Sequence, residues 1–136
     1  MVVVDTNVVV AGLITRDAAA PTARILVAML DGSLRFAVSL SLLAEYQRVL
    51  LRPAIAALHR LGPDEVEDLL AEIAASAVVV DPLVAATAAP DPGDQHLFDL
   101  LATRPNLLLI TGDQLLLARL PHDRVTTPAH YWQPPR

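Results

Sequence analysis

The sequence predicts an α/β fold built on a mainly parallel sheet of four to five strands, and three observations predict it. First, the apolar runs Val2-Val3-Val4, Val78-Val79-Val80 and Leu107-Leu108-Leu109-Ile110 show no polar alternation. Such runs suit strands covered on both faces, as parallel strands are. Second, segments of helical character stand between the strand runs, the alternation that gives a parallel sheet. Third, the first and last runs each lead into an aspartate, Asp5 and Asp113. A carboxylate at the C-terminal tip of a central strand points into the crevice where open α/β sheets place their sites.

The elements follow in order. Residues 1–5 form the first strand. Residues 21–31 form a helix closed by Gly32, a C′ glycine. Residues 35–39 (Arg35-Phe36-Ala37-Val38-Ser39) form the second strand. Over 41–51, Leu42, Leu43, Tyr46, Val49 and Leu50 fall at helical spacing, with Pro53 beyond the helix end. Gly62-Pro63-Asp64-Glu65 opens another helix, with proline at its first position and acids in its first turn, running to about Ser76. Residues 78–80 are the third strand, and 82–90 an alanine- and proline-containing connection. Asp91-Pro92-Gly93-Asp94 opens a helix to Thr103. Residues 107–111 are the fourth strand, 113–120 a short helix, and Val125-Thr126-Thr127 a last edge strand before Pro128. With no internal repeat and no long linker, residues 1–136 are expected to form one domain.

Composition removes several function classes. No cysteine is present, so a disulfide framework and a thiolate zinc site are excluded. All ten basic residues are arginine, a usage that GC-rich codon bias produces. The absence of lysine still excludes every mechanism that needs one. A net charge of −5 argues against gripping nucleic acid over a broad basic surface. It leaves open an enzyme whose acidic cluster is masked by a bound cation. No apolar run approaches the ~18 residues that cross a bilayer. Met1 leads directly into a strand, without a basic stretch or a cleavage site, so no signal peptide and a cytoplasmic location are expected.

The chemistry concentrates in acids. Asp94 shares a helix face with Leu97, Phe98 and Leu101, so it points inward from the first turn. Glu45 lies three residues after Leu42 and four before Val49, bordering the buried face of its helix. Asp5, Glu45, Asp94 and Asp113 each fall just after a strand or in a helix's first turns. In a parallel sheet those places share one edge. Like charges so close are costly unless a cation neutralises them. Oxygen ligands without His or Cys suit Mg²⁺ or Mn²⁺, which activate water and stabilise a phosphodiester under attack. Each acid also has a structural reading. Asp94 could belong to a capping box with Asp91 as N-cap, and Asp113 could cap the following helix. Glu45 could pair with Arg48, worth only ~0.3 kcal/mol, and Asp5 could serve an Asx-turn. Asn7 could donate to Asp5 or to a metal-bound water, or simply make a turn. Thr111 and Ser39, at strand ends, could orient a carboxylate or cap a helix. His59, His96, His122 and His130 show no metal-ligand spacing, and only His96 lies near the acids.

With these residues assembled, the chain resembles the PIN-domain ribonucleases, in bacteria often the VapC-like toxin half of toxin–antitoxin pairs. The resemblance runs over essentially the whole length. It is carried by Val4-Asp5-Thr6-Asn7-Val8, Val38-Ser39 with Leu43-Ala44-Glu45-Tyr46, Asp91-Pro92-Gly93-Asp94, Ile110-Thr111-Gly112-Asp113-Gln114-Leu115-Leu116, and Thr127-Pro128 before Tyr131-Trp132. It implies a three-layer α/β/α sandwich and a metal-dependent endoribonuclease. Asp5, Glu45, Asp94 and Asp113 would hold Mg²⁺ or Mn²⁺, supported by Asn7, Thr111, Ser39 and Asp91. It also implies an RNA substrate, a cognate antitoxin and a homodimer. Two positions depart from the pattern: Pro90 stands where relatives usually have arginine, and Leu115 where many carry a further acid. They keep alive the alternative of a degenerate PIN domain that binds RNA or protein with little catalysis. Other strand–Asp enzymes fit less well. A haloacid-dehalogenase phosphatase needs an acid where Asn7 stands, and receiver domains and Walker-type sites need a lysine. A dinucleotide fold needs a glycine-rich turn that is missing.

Overall fold

Val2–Val4 form β1, and all three side chains are buried. They are covered on both faces, as an apolar run without alternation requires. The computed structural model describes residues 1–133; the last residues of the expected 1–136 domain lie outside the described residues. After β1 come α1 (Thr6–Ile14), α2 (Pro21–Asp31), β2 (Ala37–Val38), α3 (Leu40–Leu50), α4 (Pro53–His59), α5 (Pro63–Ser76) and β3 (Val78–Val79). A 3₁₀ turn (Pro92–Asp94) leads into α6 (Gln95–Thr103), then β4 (Leu108–Ile110), α7 (Gln114–Arg119), β5 (Val125–Thr126) and α8 (Pro128–Tyr131).

Every strand pairing is parallel. β1 pairs with β4 and β4 with β5, while β2 pairs with β3. A parallel bridge between Val2 and Phe36 joins the two ladders, giving the spatial order β3-β2-β1-β4-β5. Successive crossovers move outward from β1 in one direction, through β2 to β3. The chain then returns to β4 and moves the other way. Right-handed crossovers therefore place α1 to α5 on one face and α6 and α7 on the other. Contacts of α1 with α2 and α3, and of α5 with α2 and α3, fit one helical layer. The expected α/β/α sandwich is the observed fold, with β5 on an edge as anticipated. The order reverses between β1 and β4, so the crevice at their carboxyl ends is the topological switch point.

The register fixes what emerges there. Val4 pairs with Ile110, and Asp5 N–H donates to the Ile110 carbonyl at 2.9 Å. Asp5 and Thr111 therefore leave the sheet side by side. Tyr46, fully buried, donates its hydroxyl to the Val4 carbonyl. That bond docks α3 on β1 and brings Glu45, the preceding residue, to the tip of β1.

Three helices were not expected from the sequence. In α1 the β-branched Val8, Val9 and Val10 are poor helix formers, but Val8 and Val9 are buried against the core, and packing outweighs propensity. Pro53 and Pro128 do not merely follow a helix or strand; each stands at the first position of a new helix, α4 and α8. Tyr131 and Trp132 pack, partly buried, against the core. Gly32 takes φ 81° and closes α2 as expected. Gly12 permits a close crossing of α1 and α2: a Cβ there would lie 2.5 Å from the Thr22 carbonyl oxygen.

Candidate active site

Asp5 caps α1 with one carboxylate oxygen and faces β4 with the other. Oδ1 accepts from Thr6 N–H at 2.8 Å. Oδ2 accepts from the Thr111 hydroxyl at 2.7 Å and the Asn7 amide at 3.1 Å. Asn7 also accepts from Gly112 N–H at 3.0 Å through Oδ1, so its amide is tied at both ends. Thr111 in turn accepts from Asp113 N–H at 3.0 Å. A continuous network thus runs from the end of β1 to the end of β4.

Asp113 caps α7, its Oδ1 accepting from Leu115 N–H at 2.8 Å and Leu116 N–H at 3.3 Å. The capping role anticipated for it holds, yet it occupies only that oxygen; Oδ2 makes no hydrogen bond among the described residues. Asp94 ends the 3₁₀ turn. Asp91 is the cap there, accepting from Gly93 N–H at 2.9 Å. The Asp94 side chain makes no capping bond, so the capping-box reading describes Asp91 alone. Glu45 has both oxygens engaged. Oε1 accepts from the Thr6 hydroxyl in a short bond. Oε2 faces Nε2 of His96 at 3.0 Å and the Arg48 guanidinium at 3.6 Å. A carboxylate only accepts, so Nε2 carries the proton. The other nitrogen, Nδ1, is buried and has no hydrogen-bond partner among the described residues.

One cleft of about 560 Å³ collects Asp5, Glu45, Asp94 and Asp113, with Thr6 and Asn7 beside them. Half-buried Val10, Ile14, Val49 and Ile55 form an apolar wall, and Arg48 and Arg52 also line it. A larger hollow of about 700 Å³ lies against α7, β5 and α8 and contains none of these acids. Ser39 stands apart: its hydroxyl accepts from Leu42 N–H at 3.1 Å, and it borders a hollow with Val79 and Val80. It caps α3 and does not reach a carboxylate. Leu115, exposed on α7, does not line the cleft either.

Electrostatics record the crowding. Desolvation pushes the Asp94 carboxyl up to about 6, and the charges of Asp5, Asp113, Asp91 and Glu45 add to the rise. Asp5 is also raised, chiefly by burial, against the pull of the Thr111 and Thr6 hydrogen bonds; Glu45 and Asp113 push the same way as burial. Among the described residues, no group of three or more acidic or histidine side chains is gathered tightly enough to hold a metal ion as placed. The acids share a cleft without closing to a ligand shell. Their chemistry still fits a hard divalent cation. The donors are carboxylate oxygens only, and Asp94 with Oδ2 of Asp113 presents oxygens not engaged by hydrogen bonds among the described residues.

Sequence reasoning misses three contributors here. Thr6 follows Asp5 directly and clasps Glu45, but a threonine at a helix start signals only a turn. His96 falls near the acids without a role, since a lone histidine carries no ligand spacing. Arg52 carries no signal because α4, which it precedes, is not expected.

The strand–Asp pairing lies at the switch point and the four acids share the cleft beside it. The family model for the PIN domain matches residues 1–115, and the chain belongs to that family. The matched stretch contains all four acids. PIN domains are generally nucleases and typically use divalent metal ions. No curated protein and no solved structure matches the chain. Among the described residues no helix is long and apolar enough to cross a membrane.

Proposed function

We propose that this PIN domain is a Mg²⁺- or Mn²⁺-dependent endoribonuclease. The observation that carries the reading is the single cleft lined by Asp5, Glu45, Asp94 and Asp113, drawn from β1, α3, the 3₁₀ turn and the cap of α7. These four would hold the ion. Bound there, it supplies Lewis-acid stabilisation of phosphodiester charge and a water of lowered pKa. The rest is done by the chain itself. Thr111 and Asn7 hold Asp5 Oδ2 toward the cleft. Thr6 and His96 fix the two oxygens of Glu45. Asp94, held above the ordinary carboxylate range in the metal-free cleft by desolvation and by its acidic neighbours, would be the acid most relieved by a bound cation.

In this reading the protein is the toxin of a toxin–antitoxin pair, held in check by a cognate antitoxin, and works as a homodimer in the cytoplasm. Support for a covered surface comes from exposed Leu40, Val79, Leu83 and Val84. Purified protein should cleave single-stranded RNA in Mn²⁺ and stop when the metal is chelated. RNA binding without cleavage under those conditions, and without any Mn²⁺-induced thermal shift, would favour the degenerate binding module instead. Expression of the chain alone should arrest bacterial growth, and light scattering should report a dimer.

A further inference from the structure

An acidic cleft in a chain of net charge −5 repels the polyanion it is proposed to cut. The cleft lining itself carries the counterweight. Arg48 and Arg52 are the only basic side chains among the described residues that border it. They lie four positions apart, in the last turn of α3 and just before α4, and line the cleft together with Val10, Ile14, Val49 and Ile55. Arg48 is 64% exposed and reaches Glu45 only at 3.6 Å, a loose pair that leaves most of its donor fork available. Arg52 makes no ion pair and no side-chain hydrogen bond among the described residues, and is exposed.

We infer that Arg48 and Arg52 form a phosphate-anchoring subsite that seats the RNA backbone beside the acidic cluster, with the apolar wall against the adjoining ribose and base. This rests on the ribonuclease reading and deepens it. A guanidinium is well matched to a phosphate, because its planar fork takes two oxygens at once and keeps its charge at any working pH. Among the described residues no aromatic side chain lines the cleft, so bases find no stacking platform there. Binding should therefore rest on phosphate contacts, with a salt dependence to which each arginine contributes. Both arginines would bind substrate directly, away from the reacting atoms.

The test uses a short fluorescent single-stranded RNA and the Asp5→Asn chain, which leaves the probe uncut. Arg48→Gln with Arg52→Gln should weaken binding roughly ten-fold at low salt. The slope of log affinity against log salt should fall by about 0.7 for each arginine removed. In the chain with Asp5 intact, the same pair of changes should raise KM and leave kcat nearly unchanged, with the Mn²⁺-induced thermal shift retained. Cleavage with unaltered KM and salt slope would overturn the subsite and leave the ribonuclease reading standing. Loss of the Mn²⁺ shift in the double variant would assign the arginines to the carboxylate cluster and also overturn it. Failure of the unmodified chain to bind or cut RNA would remove the ribonuclease reading, and the subsite with it.

Discussion

The Thr111 hydroxyl donates to Asp5 Oδ2 at 2.7 Å across 106 positions of chain. Thr111 is fully buried, and its hydroxyl oxygen also accepts from Asp113 N–H and the Asn7 amide. One hydroxyl thus sets the tips of β1 and β4 relative to each other. Thr111→Val keeps the shape, leaves Asp113 N–H without its partner and leaves Asp5 Oδ2 and the Asn7 amide only each other, at about 1–3 kcal/mol for each partner lost. A loss of about 3 kcal/mol and a Tm lower by about 10 °C are expected. Thr111→Ser, which retains the hydroxyl, should lose much less. A loss in Thr111→Ser as large as or larger than that in Thr111→Val would contradict the network as the main contribution.

Asp5→Asn probes the proposed ligand set. The change relieves burial of a charge and its repulsion from Glu45 and Asp113, but removes an oxygen that Thr111 and Asn7 both use. These effects oppose each other, and metal-free stability should stay within about 1 kcal/mol of the unmodified chain. The response to metal should not survive. A cation that binds only the folded state stabilises it by about 2.7 kcal/mol at a hundred times its Kd. Thermal melts with and without Mn²⁺ should show that shift reduced or lost, and RNA cleavage abolished. Identical shifts in both proteins would remove Asp5 from the ligand set.

The Asp94 carboxyl gives a pH dependence with a definite sign. Its folded value of about 6 exceeds the ordinary 3.8, so the folded state holds more protons than the unfolded chain between them. Stability from this group is complete at about pH 4 and is lost as pH rises through about 6. Metal-free protein should therefore lose stability relative to Asp94→Asn over that interval. The Mn²⁺-induced shift should grow over the same interval, because proton and cation compete for one carboxylate. Melts from about pH 4.5 to about pH 7.5, with chelator or with Mn²⁺, measure both trends. A flat difference between the two proteins would contradict them.

Gly12→Ala sets helix propensity against packing. Alanine gains about 1 kcal/mol in a helix interior. Its Cβ would meet the Thr22 carbonyl oxygen at 2.5 Å, and backbone cannot swing aside as a side-chain tip can. Overpacking of this kind costs about 1–3 kcal/mol, and α1 can relieve it only by moving away from α2. Net destabilisation of about 1 kcal/mol is expected from these two terms, read as a Tm lower by a few degrees. A rise in Tm would show that the crossing has slack.

Much of the fold is legible because burial writes itself into sequence. The valine run at 2–4 and the leucine run at 107–110 suit only strands shielded on both sides, and the aspartates after them mark the functional edge. Glu45 is legible only in company, since nothing local reveals that Tyr46 anchors α3 to β1. The helices α1 and α4 are hidden for opposite reasons. The first is built from residues that prefer strands and is held by tertiary contacts. The second begins at a proline that reads equally as an ending. Ser39 misleads because strand end and helix start coincide there, and capping alone accounts for its hydroxyl.

The pairing of β1 with β4, and not with β2 alone, has a consequence for synthesis. Asp5 leaves the ribosome more than a hundred positions ahead of Ile110, Thr111 and Asp113. At typical elongation rates that delay is on the order of ten seconds. Throughout it β1 has one open edge, Asp5 lacks the Thr111 hydroxyl, and the cleft lacks its fourth acid. A nascent chain, or one terminated before Asp113, therefore carries no assembled cleft, and whatever chemistry the cleft performs is withheld until β4 and the cap of α7 have been made.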